Sequence, residues 1–384
     1  MGVAGPALAY WLRRFGHDPV LFEKAAALRV GGYVIDFWGI GYDLAERMGI
    51  IDDIIARGYL IDRLSMMDAA GKAIAALDLT PVREQLQNRF VTIARNDLCA
   101  ALVAACDDIP RYFGHSIEAI APDHDGVDVT LSDGSTQRFD LVVAADGLHS
   151  RVRELAFGPE EQFVRSVGCV AAAFRVNGYP HRDELAYVSH TGPMRQVARV
   201  ALRDDETLIL MICRSEMLET GLLPRGQKAA LRAAFAGMAW EVPEILARLD
   251  DVDDLYLDHV SQIRLDHWST GRVVLVGDAA ACVSLLAGEG TGLAMIEAYV
   301  LAGELHRAGA DTTRGLLAYE QRLAAFLRRK QRTALGMRGF FAPRHSLGLA
   351  TRNLIVRTMT FPHVDRIWVR RTLADDIDLP RYEA

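Results

Sequence analysis

The stretch LVVAADGLHSRVR, residues 141–153, decides the fold prediction for this chain. It begins as the continuous apolar run LVVAA, which is typical of a strand buried on both faces of a parallel sheet. Asp146 and Gly147 end that strand, and Ser150 can cap a helix that begins at Arg151. The pattern DGxxSxxR therefore predicts a strand, a turn and a helix. By itself the pattern would also fit a turn that only ends the strand, followed by a helix that Ser150 only caps.

A second strand-like stretch, RVVLV at residues 272–276, is also followed by a distinctive turn. Gly277 and Asp278 come directly after it, and a glycine-rich segment with Gly288 and Gly290 precedes a predicted helix. A carboxylate at a strand end can hold hydroxyl groups of a cofactor, and free N–H groups at a helix start can stabilise negative charge. The spacing predicts a cofactor site, although each half would also fit a strand end and a helix cap.

The N-terminus carries part of a third nucleotide-binding pattern. Gly2 and Gly5 match the second and third glycines of GxGxxG and open a predicted helix over residues 5–15, and Glu23 ends the strand that follows. In the full pattern the glycines let a pyrophosphate sit on the helix start, and the acidic residue binds a ribose. The first glycine and its strand would precede Met1, so we expect the natural start to lie roughly ten residues upstream.

The three motifs, in this order, resemble the p-hydroxybenzoate hydroxylase family of FAD-dependent monooxygenases, near its tetracycline-inactivating and aromatic hydroxylase branch. The resemblance implies FAD as cofactor, with NAD(P)H and O2 as co-substrates. It places Asp146 and Gly147 near the FAD pyrophosphate, Asp278 on the ribityl chain, and the helix start near Gly290 beside the flavin ring. It also implies hydroxylation of a small aromatic or polycyclic apolar substrate through a flavin C4a-hydroperoxide, so that the cofactor carries the chemistry.

Two further residues gain a role from the resemblance. Arg95, in RNDL, matches a basic residue near the flavin, and Asp36, in GGYVIDFWG, matches a region beside the flavin and the substrate. They are our candidates for side chains that act near the reacting atoms. The segment after Asp278 departs from relatives, because Ala281 replaces a histidine and Gly292 replaces an asparagine. The substrate of any one relative therefore does not carry over.

The order of predicted elements gives the fold class. We expect an α/β protein with a three-layer Rossmann-like FAD-binding domain, whose first strand is missing from this sequence, and an interleaved, mostly antiparallel β-sheet substrate domain. The FAD-binding domain would take residues 1–60, 95–160 and 265–335, the substrate domain residues 61–94 and 161–264, and a C-terminal helical segment residues 336–384.

Local patterns give several element boundaries. We expect a hairpin that turns at Asp133 and Gly134 and runs on into the buried strand LVVAA, a strand over residues 259–265, and a helix over residues 312–332. The strands predicted over residues 168–215 would supply a substrate wall. The inward positions of that wall would be Phe174, Tyr187, Val197, Val200, Leu210 and Ile212.

Composition narrows the remaining classes. The 384 residues are 51% hydrophobic, with a formal net charge of −7 and no long basic run, so we expect no nucleic-acid partner. Five cysteines without CxxC spacing favour buried thiols in a reducing compartment over disulfides or a metal site. We find no signal-peptide pattern and no apolar run of the ~20 residues that span a membrane. A cytoplasmic monomer or homodimer is expected.

Three alternatives stay open at this point. The motifs would also fit an FAD-dependent oxidoreductase that does not insert oxygen. The missing first strand would fit an N-terminally truncated, inactive flavin-binding remnant. A flavin halogenase has less support, because the sequence contains no WxWxIP segment.

Overall fold

The computed structural model describes residues 1–28, 32–218, 223–359 and 377–382. The fold is α/β, with a Rossmann-like part and a separate large sheet, which confirms the predicted class. The C-terminal helical segment was predicted over residues 336–384. It lies outside the described residues at 360–376 and 383–384.

The helices are α1 (Ala4–Arg14), α2 (Gly39–Arg47), α3 (Ile51–Arg57), α4 (Thr80–Gln85), α5 (Arg95–Ala104), α6 (Arg151–Phe157), α7 (Leu223–Phe235), α8 (Val242–Ala247), α9 (Asp278–Ala281), α10 (Gly290–Ala308), α11 (Thr312–Phe341) and α12 (Ser346–Met359). The strands are β1 (Leu21–Glu23), β2 (Val34–Trp38), β3 (Arg63–Met67), β4 (Ala73–Asp78), β5 (Phe90–Ala94), β6 (Arg111–Phe113), β7 (Ile117–Pro122), β8 (Val127–Leu131), β9 (Thr136–Phe139), β10 (Val142–Ala144), β11 (Val164–Asn177), β12 (Ala186–Gly192), β13 (Arg195–Ala201), β14 (Glu206–Arg214), β15 (Tyr256–Ile263), β16 (Ser269–Thr270) and β17 (Val273–Leu275).

Short parallel strands form the Rossmann-like part of the fold. Strands β1 and β6 pair in parallel, as do β10 and β17, and β16 adds to β17 in the antiparallel sense. Ala144 pairs with Leu275, so β10 and β17 end side by side. Because both strands end just before a predicted cofactor motif, the parallel pairing brings the two motifs to the same edge of the sheet.

Helices α1 and α10 pack against each other in the same core. Trp11 of α1 meets the ring of Tyr299 on α10, with the ring centroids 4.8 Å apart. The α1 helix begins at Ala4, directly after Gly2 and Val3, as the glycine pattern predicts. Helix packing therefore fixes the N-terminal loop next to the sheet edge that carries the other motifs.

The antiparallel sheet β7–β8–β9 joins this core through alternate residues of β8. The predicted hairpin does turn at Asp133 and Gly134, between β8 and β9. Its second strand does not run on into LVVAA, because β9 ends at Phe139 and β10 begins at Val142. The break lets the chain leave β8 and pair with β17 instead.

The large sheet has seven strands in the order β15-β11-β14-β13-β12-β3-β4. Its contacts are antiparallel except for the pair β12–β3. One face packs against α7 and α8 through residues such as Phe174, Met211 and Phe235. The other face carries Ala198, Leu208 and Leu210, which line a cavity.

Two predicted boundaries are wrong, and in both cases distant contacts explain the difference. Strand β15 spans Tyr256–Ile263 rather than residues 259–265. Its ends are set by pairing with β11, which continues from Ile263 to Tyr256 although the register shifts between Ser166 and Cys169. Helix α11 continues to Phe341 rather than ending near residue 332. Met337 and Phe341 of its last turns pack on the large sheet, and such packing outweighs the low helix propensity of the glycines there.

The five cysteines are free and buried, as predicted. None of the helices within the described ranges has the length and apolar character needed to cross a bilayer.

Candidate active site

A cavity of about 1250 Å³ lies between the motif edge of the parallel strands and one face of the large sheet. Gly2, Arg95, Gly147 and Asp278 line it, and Gly288 and Gly290 are also among its lining residues. A site for a single small ligand usually measures ~300–1,000 Å³. The cavity therefore has room for an extended cofactor together with a second molecule.

Backbone geometry brings the glycine motifs close to one another. Gly147 has φ +87° and Gly277 has φ +65°, conformations that favour glycine because a side chain would be strained there. A Cβ placed on Gly277 would lie 3.0 Å from the Cβ of Ala4, and one placed on Gly2 would lie 3.6 Å from Arg95 Nη2. The N-terminal loop, the loop before Asp278 and the start of α5 thus meet at one place.

Asp278 begins the short helix α9 and is exposed to the cavity that it lines. Burial raises the pKa of its carboxyl group, while a hydrogen bond from Cys282 and the charge of Arg95 act in the opposite direction. A buried carboxyl group needs hydrogen-bond donors. The hydroxyl groups of a cofactor would supply them at this position.

Arg95 opens α5 and faces the same part of the cavity. Burial opposes its charge, but Tyr33, Cys99 and Asp278 outweigh burial and raise the pKa of the guanidinium group. Burial raises the pKa of Tyr33 to about 12. The rings of Tyr33 and Tyr256 lie 5.4 Å apart, so Arg95 stands beside an aromatic pair that can flank a planar ligand.

Helix α10 directs its N-terminal end at the cavity, where Gly288, Gly290 and Thr291 are exposed to the open space. The helix runs for 19 residues. The N–H groups of its first turn have no acceptor within the helix, and its dipole places partial positive charge there. Glu289 at this end forms an ion pair of 2.7 Å with Lys330. The helix start can therefore stabilise negative charge on a bound ring.

The Asp146 carboxylate accepts hydrogen bonds from residues of its own motif. Ser150 Oγ donates to Oδ1 at 2.5 Å and the Val152 N–H donates to Oδ2 at 3.1 Å. Ser150 Oγ also accepts from the Arg153 N–H at 2.9 Å, so it is the cap of α6. Gly147 and Leu148 are the residues of this turn that line the cavity. Asp146 shapes the loop, and Gly147 faces the space.

Arg153 ties the second motif to the third and is fully buried. Its Nη1 donates to the Ala279 carbonyl at 3.1 Å, and its Nη2 donates to the Leu148 carbonyl at 2.7 Å. The same Nη2 forms an ion pair with Glu160 Oε2 at 3.1 Å. The arginine of DGxxSxxR thus holds two loops together at the cavity wall.

The remaining predicted cofactor residues lie behind the wall. Glu23 ends β1, where its Oε1 accepts from the Ala25 N–H at 2.9 Å and its Oε2 lies 2.6 Å from the Met1 amino group. Gly5 fits closely in α1, because an added Cβ would lie 3.6 Å from Ala145 Cβ and 3.8 Å from Leu21. These two residues support the loop, and its lining residues Met1 and Gly2 face the cavity.

Asp36 lies on β2 and lines the cavity on the side toward the large sheet. Thr92 Oγ1, on the paired strand β5, donates to its Oδ1 at 2.5 Å. Burial raises the pKa of Asp36, and the Thr92 hydroxyl group lowers it in part. A carboxyl group in this setting can bind a proton or a ligand hydroxyl group.

Of the residues predicted to face inward, Tyr187, Val200, Leu210 and Ile212 line the cavity. The role of these residues as a substrate wall stays a prediction. The predicted inward position is wrong for Phe174 and Val197, which pack against α7 and α8 on the opposite face. Both follow the period of two in their strands, and the sequence pattern alone did not show which face the helices cover.

Sequence reasoning missed Glu297, which lies in α10 directly behind the loop before Asp278. Its Oε2 accepts from the Gly277 N–H at 2.7 Å and from the Tyr319 hydroxyl group at 3.1 Å. Burial raises the pKa of Glu297 to about 8. An acidic residue inside the apolar run LAMIEAYVLA was the available signal.

The residues around the cavity fit FAD. Hydroxyl-binding and basic side chains, glycine loops and a helix start meet at one end, and an apolar sheet face closes the other. Together the fold and the site define an oxidoreductase that holds an extended nucleotide cofactor beside a chamber for an apolar molecule.

Comparison with known proteins agrees with this class. A sequence model of the FAD binding domain family matches residues 2–333. A flavin-dependent monooxygenase from an unknown prokaryotic organism is 34% identical over 100% of this chain and 97% of its own. A flavin-dependent monooxygenase of Legionella longbeachae serogroup 1 (strain NSW150) is 33% identical, with the same coverage. The crystal structure of the tetracycline destructase Tet(55) superposes with a TM-score of 0.85 at 31% identity, covering 99% of this chain and 97% of that one.

The chain therefore belongs to the FAD-binding family of p-hydroxybenzoate hydroxylase-like flavoprotein monooxygenases. It is an FAD-dependent monooxygenase of the aromatic hydroxylase type.

Proposed function

We propose that this enzyme uses NAD(P)H and O2 to hydroxylate a small aromatic or polycyclic, largely apolar molecule. One oxygen atom enters the substrate and the other leaves as water, with NAD(P)H supplying two electrons. Bound reduced FAD supplies the chemistry that activates oxygen. The named relatives are flavin-dependent monooxygenases, and a structural relative is called a tetracycline destructase, which supports a polycyclic substrate class.

The continuity of the cavity carries this proposal. A single space extends from Asp278 and the start of α10 to the apolar side chains of Val200, Leu208 and Leu210 on the large sheet. A substrate that rests on this sheet would lie next to a flavin ring held at the helix start. Side-by-side binding is the arrangement that transfer of an oxygen atom requires, because the reacting groups must be held in position.

The chain's own residues have three tasks in this proposal. Asp278 and Arg95 hold the cofactor, and the start of α10 favours negative charge on its ring. The apolar sheet face orients the substrate and keeps water away from the reacting atoms. Asp36, with its raised pKa and its bond to Thr92, is placed to exchange a proton with the substrate.

NAD(P)H should reach the flavin from the surface of the same cavity. The parallel pairs in the described part of the chain are β1–β6, β10–β17 and β12–β3. We assign the first two to the FAD-binding part, and the third belongs to the large sheet. No parallel pair among the described residues is therefore left for a separate NAD(P)H-binding unit. A substrate bound in the shared cavity would then change how fast the flavin is reduced. Anaerobic stopped-flow reduction with and without substrate tests this. A rate of flavin reduction that is the same with and without each accepted substrate would contradict this proposal.

The cavity is formed within one chain, which supports a complete site in a monomer or in each half of a homodimer. The free cysteines support a reducing compartment such as the cytoplasm.

The test of the proposed function is the ratio of hydroxylated product to NAD(P)H oxidised, measured over a panel of phenols, quinones and polyketide aromatics. We expect a ratio near one for an accepted substrate. Oxidation of NAD(P)H without oxygen consumption would instead identify a non-oxygenating oxidoreductase. Absence of both FAD binding and turnover would identify an inactive remnant.

A further inference from the structure

The C-terminal helix α12 places one arginine in the wall of the cavity. Arg352 is only 5% exposed and lines the space beside Tyr187 and Phe340. Val356, one turn further along, is buried with Met66 and Ala75 of the large sheet and fixes the helix in place. The arginine therefore projects from a packed helix and not from a loop.

The three guanidinium nitrogens of Arg352 differ in their hydrogen bonds. Nη1 donates to Asn353 Oδ1 at 3.0 Å, whereas Nε and Nη2 have no hydrogen-bond partner within the part of the chain that the structure describes. Nε and Nη2 lie on the same edge of the guanidinium plane. Their N–H groups form the fork that binds two oxygen atoms side by side.

The plane of this fork is already held. The guanidinium carbon of Arg352 lies 4.8 Å from the ring centroid of Phe340, which stacks on its face. The Asn353 contact fixes the opposite edge. Little rotational freedom is left to lose when a ligand binds, and pre-organisation of this kind increases affinity.

Among the described residues, no carboxylate forms an ion pair with Arg352 either. Burial lowers its pKa to about 10, so the group is still a cation at neutral pH. Asp36 and Arg352 both influence the pKa of Tyr187, but the pKa of Asp36 itself is governed by burial and by Thr92. Burial raises the pKa of Tyr187, so its hydroxyl group is neutral and does not balance the charge. A buried cation without a counter-ion is costly, and an anionic ligand would remove that cost.

We propose that Arg352 is the specificity residue for an acidic substrate, binding a planar pair of anionic oxygen atoms through Nε and Nη2. A carboxylate carries such a pair, and so does a deprotonated enol with a carbonyl group on the adjacent carbon atom. The rest of the substrate rests on the apolar side chains of Leu64, Met66 and Leu208. This inference rests on the proposed function, because it names the substrate class of the same site.

The test uses full-length, FAD-loaded protein and isothermal titration calorimetry with two matched ligand pairs. The first pair is 2-naphthoate and 2-naphthamide, and the second is 2-hydroxy-1,4-naphthoquinone and 2-methoxy-1,4-naphthoquinone. We expect the acidic member of at least one pair to bind about tenfold more tightly or better than its neutral partner. The pair that shows the preference distinguishes a carboxylate from an enolate.

Variants assign the preference to this side chain. Arg352→Met should abolish it, and Arg352→Lys should retain part of it, because lysine keeps the charge and loses the fork. The control Arg357→Met changes an exposed arginine of the same helix and should leave the preference intact. Without ligand, Arg352→Met should melt at the same temperature as the wild type or higher, since it removes an unpaired buried charge.

Equal affinity within both pairs, failure of both acids to bind, or a preference that survives in Arg352→Met would overturn the inference. A clear loss of melting temperature in ligand-free Arg352→Met would also overturn it, because that result marks a structural role. None of these measurements needs turnover. Acid binding through Arg352 without product formation would keep this inference and refute the proposed monooxygenase reaction.

Discussion

Burial raises the pKa of both Asp278 and Glu297, and the partners of the two carboxyl groups separate their roles. Glu297 accepts hydrogen bonds from the Gly277 N–H and the Tyr319 hydroxyl group, so the protein itself satisfies it. Asp278 lines the cavity, with Cys282 and Arg95 as the groups that favour its charge. Asp278 is therefore available to a cofactor, whereas Glu297 shapes the loop that presents it.

Asp278→Asn should weaken FAD binding while the fold is retained. Charge-assisted hydrogen bonds to cofactor hydroxyl groups are worth ~1.5–3 kcal/mol, so we expect affinity to fall by about ten- to a hundredfold. Fluorescence titration of the apoprotein with FAD measures it. Asp266→Asn, at an exposed position of the same chain, is the control. Unchanged FAD affinity in Asp278→Asn would show that the assignment is wrong.

Glu297 makes stability depend on pH in a defined direction. Its pKa of about 8 in the folded protein lies above the ordinary value of 4.5. Between these values the folded state keeps a proton that the unfolded state has lost, so stability decreases as pH rises toward 8. Glu297→Gln lacks this proton equilibrium and keeps an acceptor for Gly277.

We therefore expect the melting temperature of Glu297→Gln, relative to wild type, to rise by roughly 2 °C or more between about pH 5 and about pH 8. Differential scanning fluorimetry across that range provides the measurement. The exposed Glu161→Gln should show no such trend. A difference from wild type that stays constant with pH would contradict the raised pKa.

At the residue scale, sequence reasoning worked where a motif linked residue type to position. Asp278, Arg95 and Gly147 were found because each follows or begins an element with a recognisable signal, and all three line the cavity. Glu297 and Arg352 were missed, because an isolated charged residue in a helix gives no sign of which way it faces. Their roles depend on partners far away in sequence.

At the scale of elements, helices α2 and α10 touch through two glycines. A Cβ added to Gly41 would lie 2.7 Å from the Cα of Gly292, closer than such atoms approach in proteins. The contact sets the position of the α10 start, whose glycines line the cavity.

Gly41→Ala should push α10 away and disturb the cofactor end of the cavity. Overpacking of this kind costs about 1–3 kcal/mol, so we expect a lower melting temperature together with weaker FAD binding. Gly336→Ala is a matched control, since that glycine is exposed in α11 and has open space around it. It should be neutral or slightly stabilising. If Gly41→Ala behaves like the control, the close contact does not position the site.

Elements were predicted well where the pattern was local and poorly where distant contacts set their ends. The helix after Gly2 and the strand ending at Glu23 follow from periodicity alone. Strand β17 covers only Val273–Leu275, although the apolar run VVLV extends to residue 276, because the chain bends at Gly277 toward Asp278. The extension of α11 to Phe341 depends on its packing against the large sheet.

At the scale of the whole molecule, the order of motifs predicted the class of fold, and the cavity could only be seen in the structure. The parallel strands and the large sheet come from interleaved parts of the chain. Which face of the large sheet remains open depends on where α7 and α8 pack, and that information is not local. The enclosed space between them joins cofactor and substrate in our account.

Isotope labelling tests that account most directly. Wild-type enzyme would be incubated with FAD, NAD(P)H, an accepted aromatic substrate and ¹⁸O2, and the product analysed by mass spectrometry. We expect one ¹⁸O atom in each product molecule, and none when the label is supplied in water instead. A product without label from ¹⁸O2, or oxidation of NAD(P)H that yields only hydrogen peroxide with every substrate tested, would contradict the proposed oxygen transfer.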